Sequence, residues 1–253
     1  AQNKNVLYIT MEMAEERIAE RIDANLLGIS MEDLHMLNKK LFNEKIVKLQ
    51  NKTTGTLIIK EYPTASASVN HYRALVNELA LKRTFKPDII FVDYINICAS
   101  SRFKPGANVN SYTYVKAIAE EMRGLAVELD VPIVTATQTT RSGFVSSDIG
   151  LEDTSESFGL PATADFMFAL ISSEELERAG QMLVKQLKNR YNDPTVNRKF
   201  IIGVDRARMK LFDIEQQAQN LIQPEQEKYV EHNLEKTEES PEEKYKKFQD
   251  FKF

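Results

Sequence analysis

The chain has 253 residues, 42% hydrophobic and 28% charged, with a formal net charge of −4. That length fits one large domain or two small ones, with enough chain to bury a sizeable core. Nine Gly and eight Pro exclude collagen-like and low-complexity chains, and a single cysteine, Cys98, excludes a disulfide scaffold or a Cys-based zinc site and fits a reducing compartment. Apolar runs such as Ile89 to Val92 are too short to span a bilayer, and no basic segment followed by an apolar one opens the chain. The chain begins at Ala1 rather than Met and reads as a piece of something longer. Charge is unevenly placed: Asp213 to Phe253 holds 11 acidic and 6 basic residues, so the first 212 residues sum to about +1. A near-neutral body with an acidic tail does not describe a non-specific nucleic-acid coat, although a local basic stripe would vanish in the sum.

Val6 to Thr10 reads as a short strand, and the pattern from Ala14 through Ile22 as a helix ending near Gly28. Glu12 therefore stands where a strand hands over to a helix. Met31 to Gln50 carries a second helical pattern, Leu57 to Tyr62 reads as a strand stopped by Pro63, and Ser66-Ala67-Ser68 opens a helix through Leu75 and Leu79. Asp88 to Tyr94 is the strongest strand, apolar on both faces like a central parallel strand, and Asp93 closes it. A loop follows from Ser100 to Ser111, then a helix whose stripe, Val115, Ile118, Met122, Leu125 and Leu129, belongs in the core. Val131 to Ala136 is a buried strand ending at Thr137-Gln138, and Thr139 to Ala162 a long polar loop. Strands are expected at Phe166 to Ile171, Leu183 to Asn189 and Lys199 to Val204. Alternating strands and helices predict an α/β fold with a mainly parallel sheet. The last 40 residues are polar and charge-rich, helical or disordered, with Phe248, Phe251 and Phe253 as either a docking motif or a contact on the chain's own body. No internal repeat is present.

In open α/β sheets ligands bind beyond the carboxyl ends of the strands, and Glu12, Asp93 and Gln138 all stand at such ends. A carboxylate ending an apolar strand can hold magnesium, directly or through water. A second carboxylate can polarise an attacking water, and a glutamine can sense a phosphate. Each residue alone has a plainer reading as a solvated first-turn or strand-end group; their shared position is what points to a site. No Gly-x-x-x-x-Gly-Lys-Ser/Thr is present, since none of the nine glycines is followed by Lys. Without such a cradle tight triphosphate binding by this sequence is not expected. His35, His71 and His232 lack metal-ligand spacing, and Cys98 reads as a small buried hydrophobe.

Thr10-Met11-Glu12-Met13 resembles the Ser-Leu-Glu-Met motif of DnaB-type replicative helicases, in their phage branch. Ile90 to Ile95 resembles their Walker B strand, Leu129 to Arg141 their Leu-Asn-Val-Pro segment with its Gln-Leu-Asn-Arg ending, and Lys188 to Pro194 their Lys-Gln-Arg-Asn-Gly-Pro. Order and gaps agree over roughly residues 5 to 213. The resemblance implies a RecA-like P-loop NTPase fold over residues 1–213, working as a hexameric ring that uses ATP or another NTP with Mg. It would translocate 5′ to 3′ on single-stranded DNA at the replication fork, with a primase and a loader as partners, in the cytoplasm of an infected bacterial host. By carry-over Glu12 is the glutamate that activates water, Asp93 the magnesium aspartate, and Gln138 the link from γ-phosphate to the DNA loops. Lys188 and Arg190, two apart and so on one side of a strand, are the pair offered to the neighbouring subunit's nucleotide, where Arg190 would neutralise transition-state charge. Read without the family, they form a basic edge that blunts strand pairing.

The family's first strand, P-loop and following helix should lie upstream of Val6, the strand beside the Walker B strand; a chain without them is expected to hydrolyse ATP poorly or not at all. The loop from Thr139 to Ala162 takes the place of the central-channel loop. Ser155, Glu156, Ser157 and Phe158 fall where relatives carry Arg-Glu-Ser-Gly, so the arginine's charge is lacking there, and Arg141, Arg102 and Lys104 could supply charge instead. Two other classes fit less well: a P-loop-less RecA-like binding or ring-scaffolding protein, and a filament-forming recombinase.

Overall fold

The computed structural model describes residues 2–103, 108–139, 150–151, 159–193 and 195–214. The predicted sites at Lys104, Arg141 and Ser155 to Phe158, and the tail beyond residue 214, lie outside the described residues. A parallel sheet in the order β2-β1-β3-β4 is built from β1 (Val6–Thr10), β2 (Leu57–Glu61), β3 (Ile89–Asp93) and β4 (Ile133–Thr135). Register is tight: Tyr8 lies opposite Phe91, Thr10 opposite Asp93, and Val92 opposite Thr135.

Alternation of side chains along each strand sorts the sheet into two faces. Leu7, Ile9, Ile90 and Val92 point to one face and are at most 2% exposed. They form a core with Tyr72, Val76 and Leu79 from α4 (Val69–Arg83) and with Ile118, Met122 and Leu125 from α5 (Ser111–Leu129). Ile118, Met122 and Leu125 of the stripe read from the sequence on α5 sit in that core with Cys98, and Leu129 packs against it. Tyr8 and Phe91 occupy the opposite face, stacked with ring centroids 6.1 Å apart and only half-buried. β3 is therefore central but covered closely on one face, where its run of apolar residues suggested two.

α1 (Glu15–Leu27) ends at Gly28, whose φ of 66° is the left-handed conformation that terminates helices. The helical pattern from Met31 to Gln50 is two helices, α2 (Met31–Met36) and α3 (Lys39–Gln50). Asn38 causes the break, because its Oδ1 accepts the Leu41 N–H at 2.9 Å and starts a new helix. The loop expected to run to Ala162 ends earlier, in a five-residue helix α6 (Gly159–Thr163), whose Pro161 falls in the first turn where a missing N–H costs nothing.

The last four strands form a second sheet, antiparallel, in the order β5-β6-β7-β8: β5 (Phe166–Ile171), β6 (Gln181–Asn189), β7 (Lys199–Asp205) and β8 (Lys210–Asp213). A short helix α7 (Glu174–Arg178) joins β5 to β6. Neither β8 nor the antiparallel pairing was legible in the strand pattern. α1 and α2 bridge the sheets: Asn25 Nδ2 donates to the Met209 carbonyl at 2.6 Å and the Met31 N–H to the Ala207 carbonyl at 2.9 Å.

One expectation needs correction. The family's first strand was placed beside the Walker B strand, yet β3 already has β1 on one side and β4 on the other, so both its hydrogen-bonding edges are filled. Among the described residues the outer strands of this sheet are β2 and β4. Lys188 pairs with Met167 of β5, while the ladder from β6 to β7 ends at Lys185, so Lys188 lies past it with one strand partner.

Truncating the core should separate from truncating the surface. Ile90→Ala should cost about 2–5 kcal/mol in a urea unfolding measurement, while Val127→Ala, 73% exposed on α5, should stay within about 0.5 kcal/mol of wild type.

Candidate functional site at the strand ends

β1, β3 and β4 are adjacent and parallel, so their carboxyl ends lie side by side, and Glu12, Asp93 and Gln138 follow those ends. The turn that carries Glu12 is pinned from several directions. The Met11 N–H donates to the Asp93 carbonyl at 3.1 Å, and Thr64 Oγ1 donates to the Met11 carbonyl at 2.7 Å. Fully buried Thr10 donates its hydroxyl to the Met13 carbonyl at 2.8 Å and accepts the Met13 N–H at 3.1 Å. Glu12 is the exposed residue on this fixed turn.

Asp93 is half-buried, and Tyr8 Oη donates to its Oδ2 at 2.8 Å. Burial, and then the carboxylate that the hydroxyl faces, push the Tyr8 phenol well above its ordinary pKa, so it stays a donor at neutral pH. The peptide bond from Asp93 to Tyr94 is cis. Gln138 is exposed, and its Nε2 donates to Tyr94 Oη at 3.1 Å, which holds the glutamine over the residue that follows Asp93. Thr137 Oγ1 donates to Asn96 Oδ1 at 2.8 Å, and the Ile95 N–H to the Ala136 carbonyl at 3.2 Å. Sequence reasoning missed Tyr8 and Tyr94. Tyr8 could have been found: a residue two before the end of β1 shares a face with the residue ending β3 once the strands are taken as parallel and in register.

Lys188 lies near the end of β6 and Arg190 just past it, both beside the start of β5. Lys188 Nζ donates to the carbonyls of Pro161 at 2.5 Å and Ala162 at 3.1 Å. Arg190 donates through Nη2 to the same Ala162 carbonyl at 2.7 Å and through Nη1 to Asp165 Oδ1 at 2.9 Å. The two side chains therefore do share one side, as their spacing predicted. Arg123 of α5 joins them, donating to Asp165 Oδ1 at 2.6 Å and to the Thr163 carbonyl at 2.9 Å. The Arg123 guanidinium holds the Asp165 carboxyl below the usual carboxylate range, and burial followed by repulsion from Arg190 lowers Lys188.

Arg102 stands on the loop after β3 and is half-exposed. Its Nη1 donates to Glu120 Oε2 at 2.5 Å, and its Nε lies 3.9 Å from Glu121. Glu121, buried on α5, gathers that loop: it accepts Ser100 Oγ at 2.5 Å, Ser101 Oγ at 2.6 Å and the Ser101 N–H at 2.8 Å. Burial alone would raise its carboxyl, but these donors hold it below its ordinary value.

The donor set at the strand ends fits magnesium in the manner that ion prefers, one protein carboxylate with the remaining positions left to phosphates and water. Asp93 would be that carboxylate; among the described residues no group of three His, Cys, Asp or Glu forms a cage. The triphosphate is not matched in the same way, because the 253 residues contain no P-loop to hold it.

A parallel sheet closed by an acidic strand end and followed by a separate antiparallel sheet is the RecA-like α/β fold, and comparison with known proteins agrees. A family model of the DnaB-like helicase C-terminal domain matches residues 1–239, and the chain belongs to that family. A DnaB-like replicative helicase of Enterobacteria phage T4 is 50% identical over 215 residues, 84% of this chain and 45% of that protein. A probable plasmid replicative DNA helicase of Chlamydia muridarum is 32% identical over 143 residues, 55% of this chain and 30% of that protein. The chain thus spans less than half the length of these curated relatives. In fold it matches a solved DnaB-like replicative helicase, described with its interactions with primase, at a TM-score of 0.67 and 18% identity, covering 84% of this chain and 51% of that one. A second solved structure, described as an ATPase domain, matches at a TM-score of 0.66 and 17% identity, covering 83% of this chain and 75% of that one. No helix among the described residues is long and apolar enough to cross a membrane.

The Glu121 anchor carries a pH signature. Its folded pKa lies below the ordinary 4.5, so its contribution is fully present above that pH and is lost as pH falls through the lower, folded value. The protection factor of the Ser101 amide should fall over that acid window in wild type. Glu121→Gln should already exchange faster at neutral pH and show a flatter acid profile.

Proposed function

We propose that this chain is the motor domain of a hexameric, ATP-driven 5′-to-3′ replicative DNA helicase, with residues 1–213 forming the motor and 214–253 a charged tail. The observation that carries the reading is the placement of Glu12, Asp93 and Gln138 at the ends of three adjacent parallel strands in a chain of the DnaB family. Magnesium-bound ATP, or another NTP, supplies the phosphoryl group whose transfer to water drives movement. Asp93 would hold the magnesium ion, with its Oδ2 steadied by the Tyr8 hydroxyl. Glu12, exposed on a turn that cannot swing, takes the proton of the attacking water. Gln138 meets the γ-phosphate and, through the segment that follows it, reports to the DNA loops. Lys188 and Arg190 serve the nucleotide of the adjacent subunit, where an arginine stabilises transition-state charge.

Single-stranded DNA is the track, contacted by Arg141, Ser155, Glu156, Ser157, Phe158 and Lys104 in the loops. Arg102 joins them only by exchanging its carboxylate partners for a phosphate. The primase described with the solved relative, and a loader, are the partner proteins of this reading, and the host cytoplasm is its place. The alternative is a P-loop-less RecA-like binding or ring-scaffolding protein.

The deciding measurement is DNA-stimulated ATP hydrolysis, on this chain and on the same chain supplied with an upstream P-loop segment. The helicase reading expects activity only in the second form. There Glu12→Gln should abolish hydrolysis while nucleotide binding persists, and Arg190→Ala should lower kcat by about 10³-fold. Activity in neither form leaves the scaffold. Activity in the short chain would place phosphate binding at residues other than Glu12, Asp93 and Gln138.

A further inference from the structure

Arg190 is the residue on which trans-subunit chemistry would turn, and its guanidinium is held at both terminal nitrogens. Nη1 meets Asp165 Oδ1 at 2.9 Å and Nη2 meets the Ala162 carbonyl at 2.7 Å. The Arg190 N–H also donates to the Asp165 carbonyl at 2.9 Å, so the same residue fixes backbone and side chain together. Asp165 is held in turn: Arg123 Nη1 donates to the same Oδ1 at 2.6 Å and to the Thr163 carbonyl at 2.9 Å. Arg123 projects from the middle of α5, a 19-residue helix packed on the parallel sheet. The result is a connected line from the rigid core through Arg123 and Asp165 to Arg190.

We propose that Asp165 and Arg123 are positioning residues for Arg190. A guanidinium carries five N–H donors. Two are used for bracing, so three remain for an incoming phosphoryl oxygen, and they are presented in a fixed plane. Orientation of this kind is worth a large factor in rate, because a small misplacement of a catalytic group is costly. The brace does not cancel the charge it holds, since one carboxylate faces three cations: Arg123, Lys188 and Arg190. The inference rests on the reading of Arg190 as a group that meets a neighbour's nucleotide.

The test has a structural and a kinetic arm. In this chain, the arginine 15Nη–1Hη resonances, which report the two braced nitrogens, are recorded for wild type, Asp165→Asn, Asp165→Glu and Arg123→Gln, with Arg190→Lys providing the assignment. Backbone amide spectra check that each variant is folded. The Arg190 resonance is expected to be protected from solvent exchange in wild type and to lose at least tenfold of that protection in Asp165→Asn, with partial loss in Arg123→Gln and recovery in Asp165→Glu. Should Asp165→Asn fail to fold, Arg123→Gln decides the same question, because it leaves Asp165 in place. Indifference of Arg190 to both variants overturns the inference.

In the P-loop-supplied protein, Asp165→Asn should lower kcat about tenfold with KM little changed. Charge alone predicts the reverse, because losing a carboxylate strengthens attraction for an anion, so a rise in kcat overturns the brace. If the Arg190 resonance responds while Arg190→Ala leaves hydrolysis untouched, the nucleotide reading of Arg190 is what fails, and the positioning role falls with it for that separate reason.

Discussion

The parallel pairing of β1 with β3 is the constraint on which the rest depends. It sets Thr10 opposite Asp93 and is continued past the strand end by the Met11 N–H on the Asp93 carbonyl. One residue of slip would turn every side chain of β1 to the other face. Leu7 and Ile9 would leave the core, Tyr8 would no longer reach Asp93, and the turn bearing Glu12 would lose its anchor. The buried face fixes the register energetically, since only one alignment puts Leu7, Ile9, Ile90 and Val92 together under α4 and α5. Placement of the candidate site is thus a by-product of core packing.

What the sequence revealed follows from that dependence. Strand positions, the strand-end polar residues and the α5 stripe were legible because burial writes its period into the residues. Asn38 shows why boundaries are harder: nothing in the apolar pattern from Met31 to Gln50 announces that one side chain will cap a new helix. The antiparallel second sheet was hidden for a different reason. Strand direction depends on connection geometry, and the short helix α7 between β5 and β6 left no sign in the pattern. The neighbours of β3 were misjudged because a family's strand order is a property of pairing, and pairing is decided by hydrogen bonds that composition does not show. Asp165 went unnoticed because its importance comes from Arg123 and Arg190, 42 and 25 residues away, and no local motif brings those three together.

The candidate residues fall into two groups that the fold supports in different ways. Glu12, Asp93 and Gln138 hang from one continuous parallel sheet, and their relative positions are fixed by ladders and by the two tyrosine hydroxyls. Lys188 and Arg190 belong to the second sheet and are secured to the carbonyls that end α6. Cations at the end of a helix are favoured there by the carbonyls left without intrahelical partners. That arrangement lets the basic pair be rigid without a matching set of acidic side chains.

The same comparison separates the basic candidates by the charge each has to give. Arg102 lies in a balanced group, in which it and Lys116 face the two carboxylates Glu120 and Glu121. A phosphate approaching Arg102 must first displace partners of its own sign, and an exposed ion pair of this kind gains little from either arrangement. Around Asp165 two arginines share one carboxylate, Lys188 bonds carbonyls beside them, and the remaining hydrogen bonds of the arginines go to neutral carbonyls. Neutral acceptors orient a cation without spending its charge. A dianionic phosphoryl group could therefore be met at Lys188, whose hydrogen bonds go to carbonyls, and at the Arg190 donors that Asp165 leaves free. On electrostatic grounds the second-sheet cluster is the stronger anion site, and Arg102 is better suited to holding its own loop.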